Sequence, residues 1–375
     1  MQYKIFTPQD LQDSFKGNLY CFGVGKVFDT FFARDAGKAL ARYVSAVADN
    51  HADELSVSYK ILNGRSIPII SFERLMNEIE EGDMILITTN LFREIIAQLG
   101  DIEKLQNTQY CIYFAVEIEL YDKNGVNLFV PNCLAQYEQI QIPKIIHYCW
   151  FGKGEIPVKC RKWMESWEKY CPDYKIIKWS EDNYDVHKSR YMGQAYDMRQ
   201  WAFVSDYARI DIINEYGGVY LDTDVELIRN LDELLRNDAF CGFENSQLVA
   251  YGLGFGSKKN NCILTEIKEY YDSRSFQQKD GNLDKRSCPY IQTEIMEKHG
   301  LKKNGEFQIV DGMTVLPLRI LCGMSSHSFR TLRDLSCTYA IHHYTASWLT
   351  EEWRKGQQGM KEWIKDNEDY IYLDE

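Results

Sequence analysis

The chain has 375 residues, more than one hydrophobic core usually organises, so two domains are the expectation. Its 55 acidic and 43 basic side chains leave a formal net charge of −12, which repels polyphosphate backbones and argues against a nucleic-acid partner. Eleven cysteines without a C-x-x-C pair argue against a disulfide framework or a cysteine zinc site, and no run approaches the ~18 apolar residues that a bilayer-spanning helix needs.

The first apolar run, residues 18–22, ends in Gly23-Val24-Gly25 and is followed by helical spacing through Phe28, Phe31, Phe32, Ala39, Leu40 and Tyr43, a strand, tight turn and helix. Residues 67–70 and 84–88 read as buried strands, with helices over 72–81 and 91–99. That alternation predicts a small parallel α/β domain over residues 1–138, Rossmann-like and of unreadable role. The Gly23-x-Gly25 turn is half of a dinucleotide fingerprint. Phe28 stands where the third glycine belongs and no acidic residue is evident about 20 positions later, so a structural turn is preferred over nucleotide binding.

Periodicity lapses over 132–141. A new apolar strand then opens at Ile142-Pro143-Lys144-Ile145-Ile146-His147 and runs to Trp150, which places a second domain over 139–350. Residues 351–375 read as a helical tail with Trp353 and Trp363 as anchors.

The stretch from Trp201 to Glu226 is the most informative. On a helical wheel Asp206 and Arg209 fall inside the apolar arc, whereas Asp211, Asn214 and Glu215 occupy the opposite, solvated face. Charges are costly to bury unless they are paired or face a polar cleft, so Asp206 and Arg209 are candidate site residues, a structural ion pair being the alternative. Gly217-Gly218 ends the helix, Val219-Tyr220-Leu221 restarts the chain as a strand, and Asp222 and Asp224 follow, two apart and on one face if the strand stays extended. Two adjacent carboxylates are unfavourable unless a proton or cation intervenes, and oxygen ligands suit Mg²⁺ or Mn²⁺.

These motifs resemble glycosyltransferase family thirty-two, sugar transferases that carry a DXD motif and include capsular polysaccharide enzymes and mannosyltransferases. The matching residues are Ile142 to His147 with Trp150, Ser205-Asp206-Tyr207-Ala208-Arg209, Tyr216-Gly217-Gly218-Val219-Tyr220-Leu221-Asp222-Thr223-Asp224, and a closing His343-x-x-x-Ser347-Trp348. The resemblance implies a GT-A fold and retaining transfer of a hexose from a nucleotide diphosphate donor, UDP ahead of GDP. The implied acceptor is a glycan or lipid-linked saccharide in capsular or surface polysaccharide synthesis. Asp222, Asp224 and His343 would hold Mn²⁺ or Mg²⁺, Asp206 and Arg209 the donor sugar, and Trp150, Ser347 and Trp348 the remainder of the substrate. The sequence itself, with no apolar leader or spanning run, predicts a cytoplasmic location, and a lipid-linked acceptor would allow peripheral attachment at the inner face of the membrane. Cys288-Pro289 departs from the family's usual Gly-Pro, and 313–323 lacks its aromatic-x-Pro ending.

Other readings are a haloacid-dehalogenase-type phosphatase with Asp222 as nucleophile and Asp224 as acid-base, a noncatalytic nucleotide-sugar-binding module, and an oxidoreductase built on the Gly23 turn. Gly252-Leu253-Gly254 reads either as a loop over the donor or as a strand turn, and Glu244 and Asn245 are plausible cleft residues.

Overall fold

The computed structural model describes residues 1–123, 128–325, 330–332, 334–345 and 351–366. It is α/β throughout, as the sequence predicts, with two seven-stranded sheets and a two-stranded one. The chain divides into two compact units. One is built from Met1–Leu120 and the segment beginning at Glu351, the other from the chain between them. The division therefore falls near residue 120 and not 138, and the C-terminal helix, Glu351–Asp366, is part of the first unit and not a separate tail. The cause is burial: Trp363 packs edge-on against Tyr3 and Phe114, with ring centroids 5.0 and 5.5 Å apart. The Trp353 side chain lies outside the described residues.

In the first unit, strands β1 (Gln2–Tyr3), β2 (Leu19–Phe22), β3 (Val44–Asp49), β4 (Tyr59–Leu62), β5 (Arg65–Ser71), β6 (Met84–Ile87) and β7 (Gln109–Ile112) lie in the order β1-β7-β6-β2-β3-β5-β4, all parallel except β4. The expected helix after Gly25 is broken into Lys26–Ala33 and Asp35–Leu40, because Arg34 is extended between them and its guanidinium reaches the buried Glu117. An acidic residue does follow the glycine turn: Asp49 ends β3 and accepts a hydrogen bond from the Val24 N–H at 3.2 Å.

The second unit contains β8 (Ile145–Cys149), β9 (Lys175–Trp179), β10 (Gly218–Tyr220), β11 (Val225–Leu227), β12 (Ala239–Gly242), β13 (Phe255–Ser257), β14 (Gln308–Val310), β15 (Met313–Leu316) and β16 (Ala340–His342). The main sheet runs β14-β15-β12-β13-β10-β8-β9, and β11 pairs separately with β16. From β8 the chain crosses through the Val158–Tyr170 helix to parallel β9 on one side, then returns through the Trp201–Tyr216 helix to parallel β10 on the other. In parallel α/β sheets such a reversal opens a crevice beyond the carboxyl ends of the strands, where ligands bind. Trp150 and Asp222 both leave the sheet at that edge.

The Trp201–Tyr216 helix is buried nearly all round, between the Arg190–Asp197 and Cys262–Asp272 helices. Asp211 is not on a solvated face, as the wheel predicts, but is buried, accepting hydrogen bonds from the Tyr184 hydroxyl at 2.6 Å and Lys188 at 2.7 Å. Its cation and phenol replace water, which is what makes the burial tolerable.

His147 joins β8 to the end of that helix. Trp179 Nε1–H donates to its Nδ1 at 2.9 Å, so Nε2 carries the proton and donates to the Gly217 carbonyl at 3.0 Å. Gly218, at φ +109°, must stay glycine, since a Cβ would sit 2.8 Å from the Ile145 carbonyl oxygen and 2.9 Å from His147 Nε2. Burial lowers the pKa of His147 to about 4. A buried neutral imidazole lets the unfolded chain bind more protons between pH 6.5 and 4, so stability is lost as the pH drops through that window, by about 3 kcal/mol in total. His147→Asn should flatten the slope of unfolding free energy against pH there, measured by urea denaturation. An unchanged slope would assign the acid sensitivity to other groups.

Candidate active site

The chain turns at the end of β10: the Val225 N–H donates to the Asp222 carbonyl at 3.0 Å, so Asp222 and Asp224 flank a turn and are not alternate residues of an extended strand. Their carboxylates still converge, because β16 closes over the turn. Val225 is opposite His342 in an antiparallel register, and the His343 N–H donates to the Asp224 carbonyl at 2.9 Å. Asp222, Asp224 and His342 each bring one ligating atom within 4.8 Å of the others. His342 Nε2 lies 3.2 Å from Asp224 Oδ1, and Asp224 Oδ2 accepts from the Thr345 N–H at 2.9 Å and hydroxyl at 2.7 Å.

The histidine at this centre is His342, not the expected His343. His343 stacks face to face on Trp163, ring centroids 4.0 Å apart, and its Nε2 lies 2.8 Å from Glu226 Oε2. Adjacent residues of a strand face opposite ways, so only the β11–β16 register decides which imidazole reaches the carboxylates. Thr345 was not anticipated; it sits inside the closing motif, but as a spacer with no chemistry to mark it.

Arg209 links the helix to the turn. Its Nη2 is 3.2 Å from both Asp206 Oδ1 and Asp222 Oδ1, its Nε donates to the Ser205 carbonyl, and its guanidinium stands 5.1 Å over the Tyr220 ring. The Tyr220 hydroxyl donates to Asp222 Oδ1 at 2.9 Å. The structure thus brings Asp206, Arg209, Asp222 and Asp224 into one network, with Arg209 neutralising two carboxylates. Sequence reading missed Cys288, in the first turn of the Cys288–Lys298 helix, whose thiol interacts with the Asp206 carboxyl and opposes the rise that burial causes in its pKa.

Gly252 is part of a turn packed against this network and not a loop over open space. A Cβ there would lie 2.6 Å from Asp222 Oδ2 and 3.2 Å from Arg209 Nη1. Trp150 follows β8 directly, half-buried, with its indole N–H donating to the Gly154 carbonyl at 2.7 Å. Burial lowers the pKa of His342, but the charges of Asp224, then Asp222 and last Glu244 outweigh it and raise it. Ser347 and Trp348 lie outside the described residues.

Electrostatics separate the two aspartates. Burial raises the pKa of Asp224, but His342 and the Thr345 hydrogen bonds outweigh it and hold the carboxyl well below the usual carboxylate range. Burial and the Asp224 charge push Asp222 up against the opposing pull of Arg209. Two carboxylates supply hard oxygen donors and the imidazole a borderline nitrogen, a set that fits Mn²⁺ and, through its oxygens, Mg²⁺; His342 Nδ1 is a buried nitrogen with no hydrogen-bond partner among the described residues.

Parts of the chain are similar to known proteins. The family described as "Glycosyltransferase sugar-binding region containing DXD motif" matches residues 157–241. Inositol phosphoceramide mannosyltransferase 3 of Schizosaccharomyces pombe is 34% identical over 111 residues, 26% of this chain and 29% of that protein. The mannosyl phosphorylinositol ceramide synthase SUR1 of Saccharomyces cerevisiae is 35% identical over 106 residues, 26% of this chain and 27% of that protein. The match thus spans less than a third of these relatives' length. Among solved structures, the PaToxG glycosyltransferase superimposes with a TM-score of 0.36 at 16% identity, covering 49% of this chain and 75% of that one. A glycosyltransferase involved in glycosylation of the PBCV-1 major capsid gives 0.31 at 14% identity, covering 58% and 99%.

Proposed function

We propose that the chain, whose residues 157–241 match a glycosyltransferase sugar-binding region of the DXD type, transfers a hexose from a nucleoside diphosphate donor to a glycan or lipid-linked saccharide, with a divalent cation on Asp222, Asp224 and His342. The observation that carries the reading is the return of β16 to the DXD turn, which brings groups more than a hundred residues apart within 4.8 Å at the sheet's switch point.

Bound there, Mn²⁺ or Mg²⁺ would offset the charge that builds on a departing diphosphate. The chain's own groups do the rest. Thr345 fixes the Asp224 carboxylate, and Arg209 holds Asp222 while presenting a cation beside Asp206 at the wall where the donor sugar is assigned. Trp150 supplies an aromatic face at the same edge for base or ribose. Transfer with retention needs no separate protein base, and none is assigned. UDP is the donor base favoured over GDP. The mannosyl groups in the relatives' names make a mannosyl donor part of the trial. Synthesis of capsular or surface polysaccharide at the inner face of the membrane is the matching setting; no described helix is long and apolar enough to cross a membrane.

A phosphatase with Asp222 as nucleophile gives no role to Asp206 and Arg209, which the structure joins to Asp222. Thermal unfolding with UDP, GDP or CMP, each with Mn²⁺ or EDTA, tests the reading. Ligand at a hundred times its dissociation constant stabilises by about 2.7 kcal/mol, and that gain should appear with the preferred nucleotide and vanish with EDTA. Equal stabilisation with and without metal, or release of phosphate from simple esters, would count against it.

A further inference from the structure

A second cleft lies in the same unit, between the Arg190–Asp197 helix and the hairpin over 276–284, with a volume of about 740 Å³. Arg190, Arg274 and Lys279 line it together with Gln194, Gln277 and a single carboxylate, Asp280. In a chain of net charge −12 this is a local excess of positive charge. Among the described residues neither Arg190 nor Lys279 has a carboxylate partner. Asp280 is occupied within its own loop, accepting from the Asn282 N–H at 3.0 Å and amide at 2.9 Å. Arg274 is oriented by Asp284 at 2.7 Å and by the Tyr270 ring at 5.0 Å.

The walls are fixed in place. Phe276, fully buried, packs against Tyr191 and Phe203 with centroids 5.4 and 5.0 Å apart, and the Gln277 N–H donates to Gln194 Oε1 at 3.1 Å, which leaves the Gln194 amide N–H groups for a ligand. Tyr191 follows Arg190, and Phe203 is on the helix that carries Asp206 and Arg209, so the cleft and the DXD network share one buried aromatic layer.

We propose that this cleft binds the phosphate of a phosphorylated saccharide or polyol, the guanidinium and ammonium groups taking the phosphate oxygens and the glutamine amides the neighbouring hydroxyls. That the phosphate belongs to the acceptor rests on the transferase reading; that the cleft takes a phosphate does not. The ligand is either a soluble sugar phosphate or a lipid headgroup, and two probes separate these sources.

Glucose 1-phosphate should bind the full chain saturably in calorimetry with UDP and Mn²⁺ already saturating the DXD site, and vesicles of phosphatidylcholine containing phosphatidylglycerol should do so in flotation if the source is a lipid. Arg190→Gln with Lys279→Gln should weaken whichever binding occurs by roughly tenfold or more, since charge-assisted hydrogen bonds are lost, while leaving the UDP–Mn²⁺ thermal shift unchanged. Absence of binding to both probes, binding indifferent to the double substitution, or binding that disappears when UDP and Mn²⁺ are present would each overturn the proposal. Phosphate binding that persists in a protein found to transfer no sugar upholds the cleft and removes the transferase reading.

Discussion

Asp224→Asn is expected to give a folded protein that transfers sugar at least about a thousandfold more slowly and loses its metal-dependent nucleotide stabilisation. The substitution keeps the side chain's shape, and the Thr345 N–H and hydroxyl can still donate to the amide oxygen, so the β11–β16 pairing that closes the site should survive. What is lost is the negative charge that pairs with His342 at 3.2 Å and would ligate the cation. The companion pair is His342→Ala against His343→Ala. His342 stands with the two aspartates, whereas His343 is stacked on Trp163 beside Glu226. Alanine at 342 should therefore abolish the metal-dependent thermal shift, and alanine at 343 should lower stability while leaving that shift intact. A fully active Asp224→Asn protein, or the reverse ordering of the two histidines, would refute the assignment of ligands.

The difference between those histidines shows where the sequence stops being legible. The helix from Trp201 to Tyr216, its glycine stop and the acidic pair beyond β10 were readable because helical period, αL-permissive residues and charge repulsion act over a few residues. Which neighbour faces the carboxylates depends on the pairing of strands that are far apart in sequence, and a slip of one residue exchanges them. Thr345 was invisible for the same reason, and Gly252 was readable only as a turn or a loop over the donor, since their importance is a distance to Asp224 and Asp222 and not a local pattern. Asp211 was misplaced because the wheel assumes a helix with one wet face, whereas this helix is enclosed and its charges are met by Tyr184 and Lys188. In the first unit, β3 lacked a separate signal. Its sequence, Val-Ser-Ala-Val-Ala-Asp, is rich in small residues and follows a helical run directly, so nothing in it marks where helix gives way to strand.

Arg209→Met is expected to cost more stability than any other single change in the site. The Arg209 side chain is 6% exposed and compensates two carboxylates at 3.2 Å each, and removing one partner of a buried pair typically costs about 3 to 5 kcal/mol because the remaining charge is stranded. Burial already pushes the Asp206 carboxyl up, and Arg209 is the main group opposing it; without the cation, Asp206 should bind a proton and Asp222 should lose the alignment that Tyr220 alone cannot keep. Combining Arg209→Met with Asp206→Asn removes one of the stranded charges, so the double variant should recover part of the loss, and the coupling between the two positions can be read from a double-mutant cycle in urea. Activity separates structure from chemistry. Asp206→Asn alone retains Arg209 on Asp222, and it should fold and bind nucleoside diphosphate with metal nearly as the parent does while transferring sugar far more slowly, if Asp206 contacts the donor sugar. Should Asp206→Asn leave transfer intact while Arg209→Met unfolds the protein, Asp206 and Arg209 are a structural ion pair that supports Asp222, and the sugar contact must be sought elsewhere in the cleft.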